Sequence, residues 1–290
     1  MPTGVLIVDK PRGPTSFDVV AEVRRRLGER RVGHTGTLDP LATGVLPICL
    51  GEATKLVPFL VDGRKRYVAE VRFGIATDTL DAAGQVTTTA EAGHLSEAAV
   101  AAVLPPFVGK LLQVPPAHSA LRLNGERAYD AARRGETLVL PAREVEIYSI
   151  TLDAWLDGPA VRLTVDCGKG TYIRSLARDL GLALGLPAHL QGLRRTLVSP
   201  FAIEEAIPVE QLTAHTPLIS LADALRHLPR LVLDDEEAKA VRDGKSHRVA
   251  DLSTPQDPLR VALLRPDGAL LAVASRPEPG GILRLERVFG

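Results

Sequence analysis

The amino-acid sequence predicts an α+β fold that ends in a small, mostly β unit. Apolar runs of strand length alternate with amphipathic stretches of helix length, and no segment repeats at a fixed interval. Proline pairs such as Pro105-Pro106 and Pro115-Pro116 break the chain between these runs. With 290 residues, of which 45% are hydrophobic, the chain is long enough for one substantial core and a second, smaller one.

The first two elements are a strand and a helix. Residues 4–11 (GVLIVDKP) are an apolar run that stops at a proline, which predicts a buried strand. Thr15 and Asp18 have the spacing of a capping box, so a helix is expected after them, and Gly28 is a typical helix end. Arginines occupy one side of this helix, and the opposite face is apolar, with Val20, Val23 and Leu27.

The middle of the chain contains further strand and helix patterns. Strands are predicted over residues 45–50, 66–73, 108–114, 144–155 and 161–167. A short helix is predicted over residues 96–104, and a second one has an apolar face formed by Leu176, Leu180 and Leu184.

Two stretches are not typical of a core. Residues 117–143 are mostly polar and contain the turn pair Asn124-Gly125, which predicts an arm or flap. Residues 208–229 contain three prolines and are predicted to be a linker. The unit after the linker is predicted to consist of a helix near residues 236–241 and strands over 261–264, 270–274 and 282–289.

Composition limits the cellular setting and the partners. Cys49 and Cys167 lie far apart in apolar runs, which favours buried thiols in a reducing compartment. We expect a cytoplasmic protein, because no signal pattern and no membrane-length apolar run is present. The 35 basic and 35 acidic residues balance, but five arginines fall within residues 22–31, and residues 64–66 are Arg-Lys-Arg. Such clusters are either solvated faces or sites for nucleic acid.

Several familiar chemistries lack their sequence signatures. No two histidines stand four residues apart, and none shares a short motif with a cysteine, so no metal ligand set is visible. The chain also lacks a Gly-x-Gly-x-x-Gly motif after its first strand, a Walker loop and a Gly-x-Ser-x-Gly elbow. We therefore expect neither a metal nor a cofactor.

The most unusual segment is the polar loop RVGHTGTLDPLATG, residues 31–44. Its single acid, Asp39, precedes Pro40, which disfavours helical backbone at Asp39 and can project the carboxylate out of the loop. The glycines permit close approach of another backbone. A simple capped turn would explain Asp39, but it would leave His34 and two threonines without a role.

Two tyrosines lie beside cations, as expected where a base stacks and a phosphate is neutralised. Tyr67 follows the Arg-Lys-Arg cluster, although taken alone it also fits a half-buried strand. The alternation at residues 172–174 predicts a strand with Tyr172 and Arg174 on one face. Asp39 is the natural acidic partner for Arg174, and the pair is expected to lower the pKa of Asp39.

Four ordered motifs resemble those of the bacterial tRNA pseudouridine(55) synthases, the TruB family. They are GVLIVDKPRGPTS at 4–16, GHTGTLDPLATGVLPICLGEATK at 33–55, KRYVAEVRFG at 65–74 and CGKGTYIRSLARDLG at 167–181. The resemblance implies a pseudouridine synthase fold, with a central mixed, mainly antiparallel sheet flanked by helices. It also implies a catalytic domain over residues 1–230, an RNA-clamping insertion at about 113–145, and a PUA-like RNA-binding domain over 231–290.

The resemblance assigns roles to individual positions. Asp39 matches the catalytic aspartate, His34 the histidine that displaces the target base, Tyr67 the tyrosine that stacks on it, and Arg174 the arginine that pairs with the aspartate. Further substrate-binding positions are Tyr172, Leu193, Lys10 and Lys55. The implied reaction converts a T-loop uridine of tRNA to pseudouridine without a cofactor. No protein partner is implied, and we expect a monomer because nothing in the sequence suggests an obligate oligomer.

Some points stay open at this stage. Asp39 could attack the sugar, attack the uracil ring, or remove a sugar proton on the way to a glycal. Where the family commonly has Tyr and Lys in Pro-Pro-x-Tyr-Ser-Ala-x-Lys, this chain has His118 and Arg122. Two alternative functions are considered: a catalytically silent RNA-binding or chaperone protein on the same fold, and a cofactor-free enzyme that acts on a free nucleotide or sugar.

Overall fold

A computed structural model describes residues 2–118, 122–123, 126–127, 140–244, 260–276 and 283–289. Its helices are α1 (Ser16–Leu27), α2 (Val57–Leu60), α3 (Glu97–Val103), α4 (Ile173–Ala183), α5 (Leu221–Ala224) and α6 (Asp235–Arg242). Its first nine strands are β1 (Gly4–Lys10), β2 (Val32–His34), β3 (Thr43–Leu50), β4 (Lys65–Phe73), β5 (Ile75–Thr77), β6 (Val86–Thr89), β7 (Gly109–Gln113), β8 (Arg122–Leu123) and β9 (Glu126–Arg127). The others are β10 (Arg143–Leu156), β11 (Ala160–Cys167), β12 (Ala188–Val198), β13 (Phe201–Ala202), β14 (Ile207–Pro208), β15 (Arg230–Val232), β16 (Arg260–Leu264), β17 (Leu270–Ser275) and β18 (Arg284–Val288).

A large mixed sheet forms the centre of the molecule. Its strands follow the order β14-β1-β3-β12-β4-β11-β10-β7, with β2 and β13 paired at its margins to β3 and β12. Pairing is antiparallel except between β1 and β14 and between β12 and β3. The expected α+β fold with a mixed, mainly antiparallel central sheet is therefore confirmed.

Both faces of this sheet are covered, and β1 shows how. Leu6 and Val8 point into a core shared with α1 and α4, whereas Val5 and Ile7 point into a second core on the opposite face. Because successive side chains of a strand alternate between faces, a strand buried on both sides has to be apolar throughout. This explains the continuous apolar run at the start of the sequence.

Helix α1 begins and ends as the sequence predicts. The Thr15 side chain accepts a hydrogen bond from the Asp18 amide, and the Asp18 side chain accepts one from the Thr15 amide, which completes the capping box. Gly28 ends the helix in the left-handed conformation, with φ of 66°. The apolar face, with Val20 and Val23, is buried against the sheet.

The carboxyl-terminal strands form a second sheet in the order β15-β16-β17-β18. One face of it joins the core that contains Val5 and Ile7, through residues that include Ala262, Val273 and Phe289. Its other face packs against α6. The small β unit predicted from the sequence is therefore present and shares a core with the large sheet.

Two predictions about elements of the fold are wrong, and one long strand of the large sheet escaped prediction. Residues 173–174 begin α4 rather than a strand, because the apolar spacing of the helix outweighs the three-residue alternation. Residues 208–229 are not a linker: Pro208 pairs with β1, and Leu212, Ala222, Ala224 and Leu225 are buried. Strand β12 was not predicted, although it lies between β3 and β4 in the large sheet.

The predicted arm begins and ends at one edge of the sheet. Strands β7 and β10 pair there, with Gln113 opposite Arg143. Within the arm, β8 and β9 form an antiparallel pair. The Asn124-Gly125 turn between them, like most of the insertion predicted at 113–145, lies outside the described residues. Cys49 and Cys167 are buried, as expected, and no described helix is long and apolar enough to cross a membrane.

Gly44 lies where β3 and β12 pair, opposite Arg195. Its φ is +102°, and a Cβ there would lie 2.2 Å from the Arg195 carbonyl oxygen. Gly13 has a similar φ of +112° but has open space around it. Both Gly→Ala changes strain the backbone by about 1–3 kcal/mol. Gly44→Ala also overpacks two strands, so we expect its loss in unfolding free energy to exceed that of Gly13→Ala by about 1–3 kcal/mol.

Urea unfolding of the two variants and the parent protein, followed by circular dichroism, measures this difference. Equal losses for Gly44→Ala and Gly13→Ala would contradict the close approach of β3 and β12.

Candidate active site

The polar loop connects β2 to β3 and is anchored on both sides. Ser16 at the start of α1 bonds both polar backbone atoms of Leu38: its Oγ donates to the carbonyl at 3.1 Å and accepts from the amide at 2.8 Å. The Gly13 amide donates to the Pro40 carbonyl at 2.8 Å. These bonds fix the backbone on each side of Asp39.

Lys10 lies buried beneath the same loop. Its Nζ donates to the carbonyls of Ala42 at 2.7 Å, Pro11 at 3.0 Å and Pro40 at 3.5 Å. Burial lowers the pKa of Lys10 to about 8, although the Asp39 carboxylate acts in the opposite direction. The sequence predicted a basic group near substrate here, but the Lys10 ammonium instead bonds the protein backbone.

Arg195 on β12 supports the loop from the other side, with only 1% of its surface exposed. Its Nε donates to the Val45 carbonyl at 2.8 Å, and its Nη2 and Nη1 donate to the carbonyls of Gly36 at 3.1 Å and Thr37 at 3.4 Å. The guanidinium thereby spans the loop and the start of β3. Sequence reasoning missed this residue, because the strand that carries it was not predicted.

Arg174 joins the loop to α4. Its Nε lies 2.9 Å from Oδ2 of Asp39, so the predicted ion pair is present. The remaining nitrogens bond elsewhere: Nη1 donates to the Thr79 carbonyl at 3.0 Å and Nη2 to the His118 carbonyl at 2.9 Å. A second carboxylate, Asp81, lies 3.6 Å from Nη1. Arg174 is thus a buried side chain that several hydrogen-bond and ion-pair partners hold in one orientation.

The prediction that the pKa of Asp39 is lowered is wrong. Burial raises the pKa of Asp39 above its ordinary value, and this effect outweighs the opposing charge of Arg174. Asp81 raises the Asp39 pKa further, whereas Lys10 lowers it. The carboxylate is nevertheless not sealed off, because 38% of its side chain remains exposed. It borders solvent at the mouth of a cavity.

A cavity of about 370 Å³ opens beside Asp39. Its lining comes from the polar loop, β4, β12 and the start of α4, and it includes the predicted residues Tyr67, Tyr172, Arg174 and Leu193. Strands β4 and β12 pair directly, with Ala69 opposite Leu193, which brings Tyr67 and Leu193 into the same part of the sheet. The volume is sufficient for a nucleobase.

Tyr67 and Tyr172 occupy different environments in this cavity. Tyr67 is buried, and burial raises the pKa of its phenol while the neighbouring Arg195 lowers it, so the ring stays uncharged at neutral pH. Tyr172 precedes α4, and its backbone is held by Gln113: the amide donates to Oε1 at 2.8 Å and the carbonyl accepts from Nε2 at 3.1 Å. The root of the arm is therefore bonded to the cavity rim.

Three predicted residues lie outside the cavity lining: Lys10, which bonds the backbone beneath the loop, His34 and Lys55. His34 sits on β2, and its ring meets Phe17 of α1 edge to face at a centroid distance of 5.4 Å. Lys55 lies in a 3₁₀ turn, Gly51–Leu56, and forms an ion pair with Glu52. Their predicted contacts with RNA remain predictions.

Four polar residues of the site were not predicted. Lys65 lines the cavity and donates to the carbonyls of Val61 and Gly63, both at 3.0 Å. The others are Ser16, Asp81 and Arg195. The available signal for Lys65 was the alternation of its strand, which places Lys65 on the same buried face as Tyr67 and Ala69. Among the described residues, no cluster of His, Cys, Asp or Glu could hold a metal ion.

Solved structures with this architecture include a Cbf5-Nop10-Gar1 complex, which matches with a TM-score of 0.74 and 28% identity. The match covers 99% of this chain and 85% of that one. A second is an H/ACA RNP bound to a substrate RNA containing 2′-deoxyuridine, with a TM-score of 0.73 and 28% identity over 99% of this chain and 85% of that one. The fold is thus that of the pseudouridine synthases.

Sequence comparisons agree with the fold. Proteins named tRNA pseudouridine synthase B are 41% identical in Agrobacterium fabrum and 43% identical in Geotalea uraniireducens, each match covering 99% of this chain and 95% and 97% of the relative. The relative from Thermobifida fusca is 46% identical, over 94% of both chains. Residues 24–173 match the model of the TruB family pseudouridylate synthase N-terminal domain, and residues 174–238 match that of the tRNA pseudouridylate synthase B C-terminal domain. The chain belongs to the TruB family of pseudouridylate synthases.

Proposed function

We propose that this chain converts one uridine in the T-loop of tRNA, at position 55, to pseudouridine, with Asp39 as the catalytic carboxylate. Membership of the TruB family makes the chain a tRNA pseudouridine synthase, an isomerase. The observation that carries the finer proposal is the ion pair of Asp39 with Arg174 at the mouth of a cavity of nucleobase size. The target base leaves its stack and enters this cavity.

The reaction breaks the C–N glycosidic bond, rotates the uracil, and forms a C–C bond to the same sugar. It needs no net oxidation and no second substrate, so the protein has to position the base and move protons. Asp39 acts as an ionised group in each of three possible roles: attack on the sugar, attack on the ring, or removal of a sugar proton. Arg174 keeps it ionised and oriented.

The other residues of the proposal bind and orient. Tyr67 forms an apolar wall on which the uracil ring stacks, and Leu193 packs beside it. His34, at the loop edge, displaces the base from its RNA stack. Lys10 and Arg195 hold the loop through backbone carbonyls, so they act by fixing the position of Asp39.

The carboxyl-terminal unit is proposed to bind RNA as a PUA-like domain. Its packing against the core around Val5 and Ile7 supports a fixed position relative to the large sheet. Removal of residues 231–290 would uncover that core, so a deletion would mix loss of RNA contacts with loss of stability.

Asp39→Asn is expected to lower single-turnover pseudouridine formation by a factor on the order of a thousand or more, because the amide is neither a base nor a nucleophile. Affinity for an unmodified tRNA transcript should stay close to that of the parent, since phosphate contacts come from other residues. Asp153→Asn is the matched control, because that exposed carboxylate lies on β10 and accepts a hydrogen bond from the Thr164 hydroxyl. Pseudouridine release by Asp39→Asn at the parental rate would refute the assignment.

Arg174→Lys is expected to slow single turnover about ten- to hundredfold at saturating RNA. A lysine ammonium cannot span Asp39, Thr79 and His118, which the guanidinium reaches through three different nitrogens. Arg162→Lys, which alters an exposed pair with Glu70, is the control. Parental rates for Arg174→Lys would show that charge alone suffices at this position.

The rate should also depend on acidity through Asp39. Because burial raises the pKa of Asp39, and because the ionised form is the active one, activity is present above this raised pKa and is lost as the pH falls through it. The acid limb of single-turnover rate against pH should therefore lie above the ordinary aspartate value of about 3.9. Circular dichroism over the same pH range separates this limb from unfolding, and a flat profile down to about pH 4 would contradict it.

A further inference from the structure

Phe17 is the most exposed aromatic side chain in the described part of the chain, with 69% of its surface accessible. It occupies the first turn of α1, whose buried residues are Ser16, Val19, Val20 and Val23. Phe17 is therefore not needed for packing α1 onto the sheet. Its ring is available for contact with another molecule through its flat π face.

The position of this ring is fixed relative to Asp39. The preceding residue, Ser16, bonds both the amide and the carbonyl of Leu38, which is the neighbour of Asp39. The capping box at Thr15 and Asp18 immobilises the same helical turn. Phe17 thus stands on a rigid support one residue away from the anchor of the catalytic loop.

His34 holds the Phe17 ring from the other side. The two rings meet at a centroid distance of 5.4 Å and an interplanar angle of 81°, the edge-to-face arrangement that aromatic rings favour. Nδ1 of His34 accepts a hydrogen bond from the Gly36 amide at 3.3 Å, which orients the imidazole. The pair forms an aromatic ridge, Phe17 and His34, at the rim of the polar loop.

We propose that Phe17 is a further RNA-positioning residue, whose exposed face stacks on an unpaired base next to the uridine that enters the Asp39 cavity. The inference rests on the proposed function, because it takes RNA as the substrate. An RNA strand that places one nucleotide in the cavity lays the neighbouring nucleotides across the rim of the cavity. Stacking on an aromatic ring suits any base, since every base has a flat π face.

The experiment compares affinity and single-turnover rate with an unmodified T-arm stem-loop RNA. Phe17→Ala should weaken binding about ten- to hundredfold and leave the rate at saturating RNA within about twofold. Phe17→Tyr should restore the parental affinity, whereas Phe17→Leu, which keeps apolar bulk without a π face, should not. Leu182→Ala is the matched control, because Leu182 is 70% exposed near the end of α4 and should bind RNA like the parent.

A scan with abasic nucleotides identifies the base that Phe17 contacts. Each loop position except the target is replaced in turn, and every RNA is bound to the parent and to Phe17→Ala. At one position next to the target, the abasic RNA should bind both proteins with equal affinity. If Phe17→Ala bound every abasic RNA more weakly than the parent by the same factor, stacking on a base would be overturned.

The two proposals fail separately. No pseudouridine from the parent protein would refute the proposed function. Pseudouridine from the parent, together with parental affinity for Phe17→Ala or for Phe17→Leu, would overturn the role of Phe17 alone. Thermal unfolding of each variant should match that of the parent, since the ring lies outside the core. Phe17 would have a packing role instead if Phe17→Ala unfolded at a lower temperature than the parent while Phe17→Leu had parental stability and affinity.

Discussion

Two buried cations bind the backbone of the polar loop, and the geometry around Asp39 depends on them. Lys10 donates to the carbonyls on the far side of Asp39, and Arg195 donates to those of Gly36 and Thr37 on the near side. A buried charge is costly unless it is fully hydrogen-bonded, so each cation favours the one loop conformation that supplies its acceptors. Loss of that conformation would leave the charges of Lys10 and Arg195 without acceptors. The glycine-rich polar loop is rigid for this reason.

The electrostatics of Asp39 follow from its position at the edge of this arrangement. Burial and Asp81 raise its pKa, while Arg174 and Lys10 lower it, and burial has the largest effect. The side chain still meets solvent, so part of its charge is hydrated in the free protein. Under the proposed function, RNA covers the cavity and displaces that water, and the attraction between Asp39 and Arg174 strengthens as the local dielectric constant falls. The same loss of water raises the cost of a charged Asp39, so Arg174 opposes the protonation that burial favours.

Sequence patterns predicted those features that local physics decides. The capping box, the left-handed end of α1 and the doubly buried β1 each follow from a few neighbouring residues. Strand β12 was missed because its register shifts between Leu190 and Gly192 and between Arg195 and Leu197, which removes a simple alternation. The Asp39 pKa was predicted with the wrong sign, because the pair with Arg174 can be read from motifs whereas burial depends on the whole fold.

The same strands connect the cavity to the carboxyl-terminal unit. In β1, Leu6 and Val8 face α1, Val5 and Ile7 face the core shared with the terminal sheet, and Lys10 ends the strand under the loop. Closely packed protein interiors transmit displacement from one element to the next, because few voids are available to absorb it. RNA bound by both the cavity and the terminal sheet would therefore meet two surfaces with a set separation. Under the proposed function, the distance between a target uridine and the rest of its RNA would then be a criterion of selection, independent of the base sequence around it.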